Sequence, residues 1–577
     1  MSIANTINTG IVSVKLMING TDKSSSLSVK SMVINHEVNR IPYASIVLVD
    51  GDVSRGSFDV SSSEDFVPGS EIELLAGYAN DVETIFKGKV IRHSIKIRES
   101  VAVLVVECKH EAVKLTLGRK SKYYYESSDS DIIEEILSNA GINASVEGST
   151  YVHPELIQYQ TSDWDFLALR AQINGQLCFL EDQSVTVKKP DISADPAITL
   201  EYGLNLYDFD GEIDARNALK TITAYSWNSN NQEISEKEAQ ELSEVQQGNL
   251  SNADLAEILG LDNYKLDHGG NLTEEELQEW ADAKKVLHLL SYNRGRIKMQ
   301  GSAIAKPGIT VELKGLGTRF NGKAYITAVS HEITEGNWFS NLQYGLNPEW
   351  FSETFEVNPP AASGIVPAVS GLQIGKVTQI QDDPNAEERI MVKIPIINNA
   401  EEGIWARIAL PDAGEERGIL FRPEIDDEVI VGFINDDPND AVILGGLHSS
   451  AKPAPLSASD DNYEKGIFTQ SGIQLLFNDE SKSVSIVTPG GRSVLINDDT
   501  EEVIIDDNGN STITLNSDGI ALSSSGDVSI NAQGDLNLEG QNITIKAQQE
   551  LKAEGAAGAE FSTSAVAVLK GSLVQIN

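Results

Sequence analysis

Positive charge is in short supply: 44 Lys and Arg stand against 86 Asp and Glu in 577 residues, a formal net charge of −42 at pH 7. A field of that sign repels phosphate backbones and anionic lipid, and no basic patch stands out, so nucleic acid is excluded as a partner. Cysteine is scarcer still. Cys108 and Cys178 are far apart and at no metal or redox spacing, which reads them as small buried hydrophobes of a reducing compartment rather than a disulfide. Long apolar runs are missing too: the longest, around Val101–Val106, cannot cross a bilayer. The opening Met1-Ser2-Ile3-Ala4-Asn5-Thr6 has neither a basic nor an apolar signal region. The chain is therefore expected to be made in the cytoplasm without a signal peptide.

Catalytic signatures are also wanting. His36-Glu37, His110-Glu111 and His331-Glu332 could each open the zinc-protease motif H-E-x-x-H, but the second His is replaced by Arg40, Lys114 and Glu335. The three are expected to be solvated polar residues at strand ends. There is no G-x-S-x-G elbow, Walker A loop, C-x-x-C pair or Rossmann fingerprint. The acidic runs Asp506-Asp507-Asn508-Gly509-Asn510 and Asn435-Asp436-Asp437-Pro438-Asn439-Asp440 lack the twelfth-position Glu of a calcium loop and read as turns. Glu134-Glu135 and Glu274-Glu275-Glu276 lie near helix starts, where acidic side chains suit the dipole. The expectation is a chain with no catalytic residue, no metal and no cofactor, hence not an enzyme.

What is present is β-pattern, repeated. A chain of this length should divide into about three to five units. Two Pro/Ala/Ser/Gly-rich stretches, one from Asn358 to Gly371 and one from Ser449 to Asp461, cut it into three. Before the first, alternating segments such as Glu71–Leu75, Thr84–Ile91 and Val101–Cys108 have the density of a small barrel. Helical patterns then follow Ser130 and Ser162. A second helical insertion runs from Asn252 to about Leu290, with Thr273 and Glu276 forming a capping box. Alternation from Gly308 to Tyr344 suggests a second barrel built across that insertion. Between the two linkers, five short strands with Gly/Asp/Pro turns fit an OB-like barrel, acidic and poor in stacking aromatics, so a structural spacer.

The tail is a ladder of apolar pairs at alternate positions: Val484/Ile486, Val494/Ile496, Val503/Ile505, Ile513/Leu515, Ile520/Leu522, Val528/Ile530, Leu536/Leu538, Ile543/Ile545, Leu551/Ala553, Ala559/Phe561, Val566/Val568 and Val574/Ile576. Each rung is one short strand with Ser, Asn, Gly, Asp or Gln at the corners, the pattern of a β-helix or β-prism. Two apolar residues per rung bury too little for one chain, so three intertwined copies are expected to close the core, with a single-chain β-helix as the alternative. The sixteen residues from Val484 to Ile545 are its predicted trimer core.

Gln158-Tyr159-Gln160-Thr161-Ser162-Asp163-Trp164-Asp165-Phe166-Leu167 resembles the Q-Y-x-x-S-D-W-D-F-L signature of the VgrG spike proteins of type VI secretion and their relatives in phage tails and contractile injection systems. Phe320-Asn321-Gly322, Trp405-Ala406-Arg407-Ile408, Gly418-Ile419-Leu420-Phe421-Arg422-Pro423-Glu424, Thr488-Pro489-Gly490-Gly491 and the closing Lys570–Asn577 are similar to family segments too, although the family's Gly-Asp-Pro turn is here Asp436-Asp437-Pro438.

The resemblance implies a mainly β chain. Residues 1–118 would be a first hub β-barrel, 119–196 an α/β insertion, and 197–360 a second hub barrel with a helical insertion at 250–290. A linker at 361–371, an OB-fold at 372–448, a linker at 449–462 and a trimeric β-helical spike at 463–577 would follow. It also implies a homotrimer whose hub meets a hexameric Hcp-like inner tube and baseplate proteins. A PAAR-type tip protein would sit on Val566, Val568, Gly571, Val574, Ile576 and Asn577. The machine would be assembled in the cell, deliver its spike outside or into a target, and touch the target membrane only in passing. A receptor-binding fibre and a spike with hidden peptidoglycan hydrolase activity are the alternatives.

Overall fold

The computed structural model describes residues 10–99 and 101–576; the Met1–Thr6 segment and Asn577 lie outside the described residues. The chain divides into two compact units, one of residues 1–371 with 433–440 and one of residues 372–432 with 441–577.

The first unit is organised by a thirteen-stranded sheet, in the order Leu206–Ile213, Asn293–Gln300, Asn337–Tyr344, Gly322–Thr334, Val29–Glu37, Tyr43–Val49, Val101–Lys109, Asp81–Arg98, Glu71–Tyr78, Val12–Ile18 and Thr21–Asp22. Ile198–Glu201 and Thr310–Lys314 join beside Gly322–Thr334. Period-two sequence produces it: in Val101–Lys109 the even positions Ala102, Leu104, Val106 and Cys108 are buried while the odd ones face out. Two hydrophobic clusters line one side of the sheet. One forms around Met32, Ile34, Ile46, Leu74, Phe86 and Leu104, and the other around Leu200, Ile297, Val311, Ile326, Leu342 and Tyr344.

Where two separate barrels were expected, strands of both halves belong to one open sheet. Gly322–Thr334 pairs antiparallel with Val29–Glu37, Ala328 opposite Glu37 and Thr334 opposite Ser31. That seam-forming strand, Val29–Glu37, buries Met32 and Ile34 on one face and leaves Ser31, Val33 and Asn35 half-buried on the other.

The histidines of the three His-Glu dipeptides correct a second expectation. His110 and His331 are buried, not solvated. His331 shares the inward phase of Val329 and Ile333, and its Nδ1 lies 2.9 Å from the Ser340 hydroxyl. Burial pushes His331 down to about 3 and His110 to about 4. Both cysteines are buried and free, and burial pushes their thiols up to about 12, so neither is a nucleophile at neutral pH.

The helical segment shows what the signature residues do locally. The helix Asp163–Ile173 is capped by Ser162, whose hydroxyl accepts from the Asp165 N–H at 3.1 Å. Buried Gln158 donates to Asp163 at 3.0 Å and accepts from the Tyr124 hydroxyl at 3.1 Å. Trp164, Phe166 and Leu167 enter the core. The preceding helix, Asp129–Asn139, is capped by Ser128 and not Ser130, because Ser128 closes a capping box with Asp131.

Asp129 is buried and receives Arg170 Nε at 2.6 Å, Arg170 Nη2 at 2.9 Å, Asn174 Nδ2 at 2.8 Å and His153 Nε2 at 3.2 Å. Burial would raise its carboxyl, but the hydrogen bonds from His153, Arg170 and Asn174 and the guanidinium charge hold it well below the usual range. Arg170→Met should therefore cost about 3–5 kcal/mol by stranding that carboxylate. Asp129→Asn in the same background should recover part of it, as read from urea unfolding midpoints.

In the second unit, Gln373–Gln379, Ile390–Lys393, Ile404–Ile408, Ala441–Gly446 and Glu428–Phe433 form a closed barrel, OB-like, around Val377, Val392, Ala406, Val429, Val431 and Ile443. Seven further strands follow as an antiparallel meander: Glu464–Phe468, Gln474–Asn478, Ser483–Val487, Ser493–Asn497, Glu502–Asp506, Thr512–Asn516 and Gly519–Ser523.

Candidate functional site: an uncovered apolar face

The turns of the meander fix its register. Gly491 adopts φ +77° and donates to the Thr488 carbonyl at 2.9 Å, closing the Thr488-Pro489-Gly490-Gly491 turn. Asp507 accepts from the Gly509 and Ser511 N–H groups at 2.6 and 2.9 Å, so the Asp506–Asn510 run is a side-chain-capped turn. Among the described residues no group of three or more His, Cys, Asp or Glu is placed to hold a metal ion.

With that register the apolar pairs stand opposite one another. Val484 faces Ile496 and Ile486 faces Val494; Val494 faces Ile505 and Ile496 faces Val503. Val503 then faces Leu515, Ile505 faces Ile513, Ile513 faces Leu522 and Leu515 faces Ile520. Directly paired residues share a face, so these ten form two apolar columns on one side. Ile467, Leu475 and Phe477 extend the columns, Leu475 opposite Ile486 and Phe477 opposite Val484. The sequence reading missed these three, although Leu475/Phe477 repeats the same two-residue spacing.

Nothing in the single chain covers this face. Ile486 is 47% exposed, Ile496 49% and Ile520 78%, and none of the ten is buried. Ile486, Val494, Ile505, Ile513, Leu522 and Val528 line one shared groove. The other predicted core residues, Val528, Ile530, Leu536, Leu538, Ile543 and Ile545, lie beyond the last strand and are all exposed. Val566, Val568, Val574 and Ile576 of the predicted tip contact are exposed in the same way, with Gly571 among them. Soluble monomers seldom leave so long an apolar strip open. At about 1 kcal/mol for completing the burial of each half-covered side chain, the ten are worth about 10 kcal/mol per chain when covered.

The open sheet, the closed OB-like barrel and this ladder make a mainly β chain. Residues 373–448 match the type VI secretion system/phage-baseplate injector OB domain. The chain belongs to the family of the Alg8 N-terminal domain, whose model matches residues 8–335.

Among curated proteins it is similar to the type VI secretion system spike protein VgrG3 of Vibrio cholerae, 30% identical over 74 residues; the match spans 13% of this chain and only 7% of that protein. Among solved structures it is similar to a 43 kDa tail protein of prophage MuSo2 from Shewanella oneidensis, with 11% identity over 58% of this chain and 98% of the other, TM-score 0.45. The Escherichia coli type VI secretion component c3393 is 14% identical over 75% and 99% of the two chains, TM-score 0.38. The Francisella PdpA–VgrG complex is 8% identical over 90% and 88%, TM-score 0.39.

Proposed function

We propose that this chain is the non-enzymatic hub and spike of a contractile injection machine, and that three copies close their apolar faces on one another to form a rigid prism. The uncovered double column from Val484 to Leu522 carries the reading. Three such faces supply each other's missing layer, and the strand ladders then pair most backbone groups along a needle suited to load. The hub would seat on a hexameric inner tube and baseplate proteins, and the needle would cross the target membrane under force from the machine. No helix among the described residues is long and apolar enough to cross a membrane itself.

Light scattering on the full chain and on a version lacking residues 463–577 tests this. A trimer that becomes a monomer without the tail is expected; a monomeric full chain sinks the proposal. At the far end, Val566, Val568, Val574 and Ile576 would seat a PAAR-type tip protein. Removing residues 571–577 should abolish its capture in a pull-down, and undiminished capture would place the tip elsewhere.

A further inference from the structure

Between Thr221 and His268 the first unit carries a small sheet of its own, in the order Glu233–Glu238, Thr221–Asn228, Asn263–His268. The helix Glu274–Leu289 covers one face, where Ile222, Ala224 and Leu266 pack with Leu277 and Ala281. By alternation the opposite face carries Tyr225 and Trp227, their partners Glu236 and Ile234, and Asp267 on the far side of Tyr225. Trp227 is 44% exposed and Ile234 64%.

The outer strand, Glu233–Glu238, has a neighbour on one side only. Beyond its end the Ala239 N–H donates to the Ile222 carbonyl at 2.9 Å, in the same register as the pairs Ala224/Lys237 and Ser226/Ser235. Antiparallel pairs that exchange backbone bonds alternate with pairs that do not, so Ile234, Glu236 and Glu238 turn their N–H and C=O groups away from the sheet. Gln278 Nε2 donates to the Glu238 carbonyl at 2.9 Å. The backbone groups of Ile234 and Glu236 meet no such partner among the described residues.

An open edge usually carries a device against strand addition, such as a bulge, a proline or a cover. This one pairs without a register shift and contains no proline. Its guard is charge of a single sign. Lys237 is tied to Glu274 at 2.7 Å, while Glu236, Glu238 and Asp267 are exposed and make no ion pair among the described residues. Residues 221–268 hold nine acidic and two basic residues. Two such edges repel each other, which disfavours a second copy of this strand and favours a cationic one. The face already holds one cation against its aromatics, since Lys265 Nζ stands 5.3 Å from the centroid of the Tyr225 ring.

We propose that the edge Glu233–Glu238 receives an extended basic segment of another protein as a fourth strand. Its backbone bonds to the free groups of Ile234 and Glu236, and its lysine or arginine side chains lie on the open face, against Glu236, Glu238 and the Trp227 ring. Backbone pairing supplies affinity and the carboxylates supply the choice of partner, so binding weakens as salt rises. The inference is independent of the trimeric reading, because the whole site lies within one chain.

The test uses the full chain and a fluorescent heptapeptide alternating lysine and valine, with glutamate in place of lysine as the control. Anisotropy should show saturable binding, one peptide per chain, for the lysine peptide alone. Hydrogen exchange should slow at the Ile234 and Glu236 amides when it binds. Glu236→Pro removes an outward N–H without touching the ladder to Thr221–Asn228 and should weaken binding about tenfold, with circular dichroism confirming the fold. Glu236→Lys with Glu238→Lys should do the same, whereas Glu415→Lys with Glu416→Lys, exposed in the second unit, should change nothing. No saturable binding overturns the inference. So does binding that Glu236→Pro leaves intact, or that the distant pair weakens equally, because the peptide is then held by net charge and not by the strand edge.

Discussion

A full-length chain carrying Ile496→Asp and Ile505→Asp is expected to be a monomer with an intact hub. Both side chains lie in the apolar columns, 49% and 44% exposed, Ile496 opposite Val484 and Val503 and Ile505 opposite Val494 and Ile513. In a single chain the substitutions touch mostly water and cost little. In a closed prism each trimer acquires six carboxylates in its interior. Each forfeits about 1 kcal/mol of apolar burial and adds a desolvation cost of several kcal/mol. The sum exceeds about 10 kcal/mol, a shift in association of many orders of magnitude. Ser485→Asp, on the opposite face across from Leu495, should leave the trimer in place. Light scattering with circular dichroism decides the matter: a doubly substituted chain that is still a trimer would show that the face is not the contact.

Acid should loosen the first unit well before it protonates ordinary carboxylates. His110 and His288 are pushed down to about 4 and His331 to about 3, in each case chiefly by burial. In His288 the Nδ1 donates to the Asn217 carbonyl and the buried Nε2 has no partner, so a proton arriving there has nothing to bond; in His110 the Nδ1 accepts from the Ala112 N–H at 3.1 Å, so a second proton breaks that bond. The unfolded chain binds protons near pH 6.5, while the folded chain resists until about pH 4 or below. Stability is therefore full above about pH 6.5 and falls as pH drops through the window down to the folded values. At pH 5 each histidine costs about 2 kcal/mol and the three about 6 kcal/mol, against a usual total of about 5–15 kcal/mol. Glu37, whose carboxyl burial raises, works in the opposite direction. Urea midpoints at pH 7.5 and 5.0 should differ strongly, and His331→Asn should flatten the difference. Midpoints that do not move with pH would mean these side chains are solvated after all.

Much of the architecture was legible because it is written in local rules. The capping residues Ser162 and Thr273 place the starts of Asp163–Ile173 and Glu274–Leu289, since a cap needs only its own next turn. The OB strands follow from short alternating runs between turn formers, as in Ile404–Ile408 and Glu428–Phe433. The apolar pairs of the tail were legible because period two is visible in any strand.

What escaped the sequence depends on distant partners. Whether His331 is inside or outside is set by the phase of its strand against Val29–Glu37, some three hundred residues away. The charge of Lys96 and Arg98 disappears in a total of −42 and stands out only when the strand ending at Arg98 runs past its second neighbour and leaves both side chains exposed. By itself, then, the sequence determined the elements and the two-residue rhythm of the tail, because side-chain alternation and capping are properties of neighbouring residues. Only the tertiary structure decided that strands from both halves share one sheet, which histidines are buried, and that ten apolar residues stand in two uncovered columns. Those outcomes are fixed by strand pairing and register, where a slip of one residue would reverse every face.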